Sequence, residues 1–119
     1  MSYFEVDMKN LIEQLREFAK DRDWDQFHSP KNLAMALSVE VAELVEHFQW
    51  LTEDQSYIKD PAKLEEIKQE IGDILIYLTR LSDKLGIDPM GAAKDKIEIN
   101  NKKYPVEMVK GSARKYNEG

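Results

Sequence analysis

Residues 30–50 read PKNLAMALSVEVAELVEHFQW, and the position of their charges decides the fold. Ser29-Pro30 sets a capping side chain before a proline at the first helical position, where a missing N–H costs nothing. At about 100° per residue, Leu33, Ala36, Leu37, Glu40, Leu44 and His47 then fall within one broad stripe, with Glu43 on its edge. A glutamate inside an apolar stripe breaks the binary pattern of a core-facing helix. The next periodic stretch repeats the anomaly: Ile67, Glu70, Asp73, Ile74, Tyr77 and Leu81 share one face. Each of the two helices therefore carries an acidic pair at i, i+3. Twenty-six residues separate Glu43 from Glu70, enough for the rest of one helix, a turn and the start of the next. Antiparallel packing lets the two pairs meet.

The same punctuation extends along the chain. Asp60-Pro61 and Asp88-Pro89 repeat the cap-proline pair, and Gly86 stands where a helix C-cap is needed. The spacing predicts four helices, about 3–21, 30–50, 61–85 and 89–103. The first carries apolar residues at Met8, Leu11, Ile12, Leu15, Phe18 and Ala19. No strand-like alternation, repeat or low-complexity stretch occurs. The expected fold is all-α, a four-helix-bundle type, in a single domain spanning residues 1–119 with 104–119 mainly a non-helical tail.

Composition narrows the function. The 119 residues include 17 Lys and Arg against 23 Asp and Glu, a formal net charge of −6, which argues against non-specific binding to nucleic acid or anionic membrane. Absence of cysteine removes disulfides, thiol nucleophiles and Cys-based zinc or iron–sulfur sites. No apolar run approaches the roughly 20 residues of a membrane span, and the first residues show no signal-peptide pattern, so a cytoplasmic location is expected.

Four carboxylates at close quarters cannot all remain ionised without compensation. The acids could line a solvated groove or pair with lysines on other helices. With no matching buried Lys or Arg on these faces, the economical answer is Mg2+, a hard cation that takes oxygen ligands, with Mn2+ as a substitute. Di-iron chemistry is disfavoured: it wants Glu-x-x-His on two helices, whereas His47 is one residue out of step and the third helix has no histidine.

Glu40-x-x-Glu43, followed at this distance by Glu70-x-x-Asp73, resembles the metal signature of the MazG-like all-α nucleoside triphosphate pyrophosphohydrolases. The likeness covers nearly the whole chain. Arg22-Asp23-Trp24-Asp25-Gln26-Phe27-His28 with Pro30-x-Asn32-Leu33 resembles the substrate loop of the dCTP pyrophosphatase branch. Phe48-Gln49-Trp50, Lys96-x-x-x-Asn100-x-x-Lys103-Tyr104-Pro105 and Ser112-Ala113-Arg114-Lys115-Tyr116 are similar to it too. The resemblance implies that Glu40, Glu43, Glu70 and Asp73 hold Mg2+ against a bound triphosphate. Water then splits the α–β phosphoanhydride to give a nucleoside monophosphate and pyrophosphate, with Glu43 as the suggested proton acceptor.

Base recognition falls to Trp24 and Trp50, with His28 and Tyr77 as further pocket residues; for each Trp an ordinary core or interface anchor is the competing explanation, and for His28 a hydrogen bond at the helix entry. Stacking discriminates poorly between bases, so hydrogen bonds must supply the choice. Lys96, Asn100 and Lys103 lie at i, i+4 and i+7 on one helical face, and the resemblance assigns them, with Tyr104, to phosphates and sugar. Arg114 and Lys115 either fold over the triphosphate or form a frayed basic tail. Two departures stand out. Lys103 replaces a common Arg, and Leu15 stands where dCTP-specific relatives carry a His near the base.

The resemblance further implies a homo-oligomer, a tetramer built as a dimer of dimers or a dimer. Three functions follow: pyrophosphohydrolysis of dCTP or modified pyrimidine dNTPs, the same chemistry on dUTP, other dNTPs or phosphoribosyl-ATP, or a non-catalytic helical interaction protein. The last leaves Lys96, Asn100 and Lys103 without a role.

Overall fold

The fold, taken from a computed structural model, is described for residues 7–111. Five helices follow one another: α1 (Met8–Asp21), α2 (Pro30–Glu46), α3 (Pro61–Lys84), α4 (Pro89–Lys103) and α5 (Val106–Val109), with short 3-10 turns at Asp25–Phe27 and Asp54–Ser56. No strand occurs among the described residues. The chain forms two compact units, one ending at Gly86 and one beginning at Ile87.

All three cap-proline pairs start helices. The side chains of Ser29, Asp60 and Asp88 accept hydrogen bonds from the backbone N–H of Asn32, Lys63 and Met90. Asp7 caps α1 in the same way, accepting from Asn10 at 2.8 Å. The start expected near residue 3 lies outside the described residues. α2 ends at Glu46, four residues before the expected boundary. Phe48 and Leu51 donate to Val45 and Phe48, bonds that tighten the chain to i→i+3. Thr52 and Gln55 then close a reciprocal capping box at 3.0 and 3.2 Å. The apolar period runs on through Phe48 and Trp50, which is why periodicity alone overextends this helix. The expected non-helical tail holds one helical turn, Val106–Val109, launched by Pro105 at φ −56°.

The first unit is built around the α2–α3 hairpin, with α1 on α3 and on the turn that follows it. The pairing of α2 with α3 is antiparallel: His47 meets Lys63, while Glu40 meets Glu70. Ala19, Leu33 and Ile67 are the buried apolar residues. Every residue expected on the α2 stripe, Leu33, Ala36, Leu37, Glu40, Leu44 and His47, is buried or half-buried, and so is Glu43. On the α3 face, Ile67 is buried and Glu70, Ile74, Tyr77 and Leu81 are half-buried, whereas Asp73 is exposed.

How α1 ends positions the aromatic loop. Asp23 N–H donates to the Lys20 carbonyl and Trp24 N–H to the Ala19 carbonyl, at 3.0 and 2.8 Å. This Schellman arrangement needs a left-handed residue, and Asp23 supplies it at φ 54°. Its usual apolar contact is present as an edge-on packing of Phe18 against Trp24, with ring centroids 5.7 Å apart. Gly86 takes the same left-handed role after α3, at φ 67°.

Candidate functional site

The hairpin brings three of the four predicted acids together. One carboxylate oxygen from each of Glu40, Glu43 and Glu70 lies within 4.8 Å of the others. All three side chains are half-buried. Asp73 stands beside them, and its charge raises the pKa of both Glu40 and Glu70. Burial first, then a hydrogen bond with Glu43, then the charges of Glu43, Asp73 and Glu70 push Glu40 up to about 7. Glu70 is raised by burial and by Glu43, partly offset by His47. One oxygen on Glu40 and one on Glu70 are buried without a hydrogen-bond partner. Within this unit, no described Lys or Arg forms an ion pair with Glu40, Glu43 or Glu70.

These features fit a divalent cation. Close carboxylates that repel one another, two of them with a buried oxygen lacking a hydrogen-bond partner, are the donor set a hard cation takes. An open cleft of about 560 Å3 adjoins the cluster, lined by Glu43, Glu46, His47, Glu66, Gln69, Glu70 and Asp73. His47 stands beside it: Nε2 lies 3.9 Å from Glu70, and Nδ1 lies 3.4 Å from Lys63 Nζ and 3.9 Å from Glu66. Both carboxylate separations exceed hydrogen-bond length, so the imidazole stands next to a candidate ligand without bonding to it. Sequence reading placed His47 on the stripe but gave it no role at the site.

A second cavity, of about 210 Å3, opens between α1, the aromatic loop and α3. Trp24, His28 and Tyr77, three of the four predicted base-binding residues, all line it. Leu15, Phe18, Ala19 and Ile76 make its apolar wall. Asp73 lines this cavity as well as the acidic cleft. Trp50 is not brought to it: the indole is 87% exposed and borders a separate depression with Leu51, Ile58 and Lys63. Arg80 completes the pocket and was missed by sequence reading. Its signal was its position on the face of Asp73 and Tyr77, at i, i+4 and i+7.

The far end of α3 is held by ion pairs. Arg16 grips Asp83 through two bonds of 2.8 and 2.6 Å. Asp25 accepts from Arg80 at 2.9 Å and from Lys84 at 2.6 Å, which ties the aromatic loop to α3. These cations hold the Asp25 and Asp83 carboxyls below their ordinary range.

In the second unit, Lys96, Asn100 and Lys103 lie along α4 as their spacing predicts, with Asn100 and Lys103 half-buried and Lys96 exposed. Half-buried Tyr104 caps this helix, its N–H donating to the Asn100 carbonyl at 2.8 Å. Arg114 and Lys115 lie outside the described residues. Among the described residues, no helix is long and apolar enough to cross a membrane.

A helical hairpin that presents Glu-x-x-Glu from one helix and Glu-x-x-Asp from the next, beside an aromatic pocket, defines an all-α carboxylate-centred domain. The chain belongs to the MazG-like family, whose pattern matches residues 35–118. It is 41% identical over 104 residues to human dCTP pyrophosphatase 1, covering 86% of this chain and 61% of that protein. The bovine dCTP pyrophosphatase 1 is 39% identical over 119 residues, covering 95% of this chain and 70% of that protein. The chain thus spans about three-fifths of the length of the human relative. The crystal structure of a pyrophosphatase from Archaeoglobus fulgidus superposes with a TM-score of 0.75 at 43% identity, covering 88% of this chain and 98% of that one.

Proposed function

We propose that this protein is a Mg2+-dependent nucleoside triphosphate pyrophosphohydrolase that converts dCTP or modified pyrimidine dNTPs to the monophosphate and pyrophosphate. The observation that carries the reading is the sharing of Asp73 between the two cavities. One holds mutually repelling carboxylates suited to a cation and phosphates, and the other is aromatic-walled and suited to a base. The dCTP pyrophosphatases to which the chain is similar support the substrate class.

Glu40, Glu43, Glu70 and Asp73 would hold the metal, which when bound neutralises phosphate oxygens and acidifies water. The chain's own residues do the rest. Trp24 and Tyr77 flank the base, and Asp73 links the two compartments. Glu43 is our candidate for proton acceptance. Lys96, Asn100, Lys103 and Tyr104 are proposed to meet phosphates and sugar, joined by Arg114 and Lys115 from the tail. Trp50 is proposed to close over the base from its exposed position. Phosphoryl transfer asks mainly for positioning and charge neutralisation, so no protein nucleophile is required.

One observation favours a second substrate within the same chemistry. Leu15, an apolar residue, lines the aromatic pocket where dCTP-specific relatives carry His. dUTP or another pyrimidine dNTP then competes with dCTP as the preferred substrate.

The protein is proposed to act as a homo-oligomer in the cytoplasm. On α2, Met35, Val39, Val41 and Val45 stay exposed in the single chain. Leu64, Ile71, Leu75 and Leu78 form an exposed stripe along α3. Exposed apolar side chains in this number on two paired helices ask for cover, and the simplest cover is a second copy.

The test is pyrophosphate release from a panel of canonical and 5-modified dNTPs, with and without Mg2+. Metal-dependent release, fastest with pyrimidine substrates, is expected. Metal binding by a folded protein without release from any nucleotide would sink the proposal.

A further inference from the structure

Arg80 is 4% exposed, and the aromatic pocket alone does not account for burying it there. Its Nη2 reaches Asp25 at 2.9 Å and His28 Nδ1 at 3.3 Å, while its Nε is buried without a partner. A guanidinium has five N–H donors and no acceptor. The His28 Nδ1 it touches must therefore act as acceptor, which leaves the ring proton on Nε2. We propose that Arg80 is a positioning residue: it locks His28 in the Nε2–H tautomer, so that the edge of the imidazole left for a ligand is a hydrogen-bond donor. This rests on the reading of the aromatic pocket as the base site.

The surroundings support a neutral ring. Burial lowers the His28 pKa first, and the charges of Arg80 and Lys84 lower it further, against a smaller opposite pull from Asp25. Those are the charged groups facing it from α3 and from its own loop, and Asp73 lines the same pocket. Lys84 shares Asp25 with Arg80, so the carboxylate is held by two cations and is not free to draw the imidazole proton toward itself. The indole of Trp24 lies tilted 59° to the imidazole at 6.4 Å, close enough to limit its swing.

The consequence is a rule of recognition. Leu15, Phe18 and Ile76 offer a base edge no hydrogen bond. A donor fixed at His28 selects edges that present an acceptor: O2 or N3 of cytosine, O2 or O4 of uracil. An imidazole free to choose its tautomer would accept either kind of edge. Arg80 removes that choice.

The inference is tested on 15N-histidine-labelled protein by long-range 1H–15N correlation at neutral pH, without substrate. His28 is expected as a single neutral Nε2–H species, and Arg80→Gln is expected to give mixed tautomers. Steady-state kinetics then compare His28→Phe with His28→Gln, whose amide can place an N–H near the Nε2 position. Phe should raise KM for pyrimidine dNTPs about tenfold, the loss of one hydrogen bond of ordinary strength, with a smaller change in kcat. Gln should recover most of that loss. An Nδ1–H or protonated His28 in the native protein overturns the proposal, as do equal effects of Phe and Gln or a fall in kcat with KM unchanged. The tautomer is read without turnover, and it needs only the native protein if Arg80→Gln fails to fold. A protein that hydrolyses no nucleotide at all therefore counts against the function proposed above and is distinguishable from a wrong tautomer.

Discussion

Two sets of carboxylates sit in the α2–α3 hairpin and its surroundings, and they behave in opposite ways. Asp25 and Asp83 are met by Arg16, Arg80 and Lys84, and their pKa values fall. Glu40 and Glu70 crowd against Glu43 and Asp73, and theirs rise. Asp73 and Arg80, which stand on the two sides of this divide, are seven residues apart on one helix, about 10 Å of rise. The difference separates acids that fasten the fold from acids that wait for something. The first set lowers the free energy of the folded chain by itself. The second raises it unless a proton or a cation arrives.

The sharpest way to break the comparison is to remove one charge from each set. Glu40→Gln should cut pyrophosphate release by more than about a hundredfold, beyond the loss typical of an outer-shell partner. It should leave the metal-free Tm unchanged or higher, because it relieves repulsion. Asp83→Asn should do the reverse, lowering Tm by roughly 4–8 °C with less effect on turnover. If Glu40→Gln unfolds the protein, its carboxylate is a structural partner and the comparison fails.

A third test uses pH. An acid whose folded pKa is raised binds more protons folded than unfolded, so between its two pKa values stability falls as pH rises. For Glu40 that window runs from its ordinary 4.5 to about 7. The metal-free protein should melt higher at pH 5 than at pH 8, by on the order of 5 °C. Asp25 and Asp83 do not blur the result, since their depressed pKa values confine their loss of stability to pH below about 4. The lowered pKa of His28 opposes the trend below its ordinary 6.5, so the contribution of the acids is read as the difference from Glu40→Gln. Saturating Mg2+ should flatten or invert the trend, and Glu40→Gln should weaken it. A pH trend that is the same in the native protein and in Glu40→Gln would show the acids to be solvated.

The smallest expected effect lies between the acids of α3. Gly72 occupies a helix interior, where a methyl group would meet no neighbouring element within 4 Å. Gly72→Ala should stabilise the single chain by roughly 0.5–1 kcal/mol, read by denaturant melts. Loss of stability or of association would place another copy of the chain against that face.

Much of this was legible in the chain. Ser29-Pro30, Asp60-Pro61 and Asp88-Pro89 start helices because a capping oxygen and a preset φ act locally. Glu40 and Glu70 stood out because a helix reports burial through period alone. The early end of α2 was not legible, because Phe48 and Trp50 continue the apolar rhythm while the hydrogen bonds have already changed. Arg80 escaped notice for a different reason. Between Thr79 and Leu81 it reads as one more surface cation, and only the return of the loop through Asp25 and His28 gives it partners. That return depends on Asp23 turning left-handed, a property carried by one residue and not by a pattern.

Asp73 belongs to both cavities, and α3 runs unbroken from Glu70 past Arg80. A helix does not stretch. Whatever molecule bridges the two compartments is therefore measured against a fixed gauge: the interval from the carboxylates to the aromatic wall is written in helical turns. A compound with the right ends and the wrong length between them would engage one cavity and miss the other. On this account the protein sorts its ligands by span before it reads their edges.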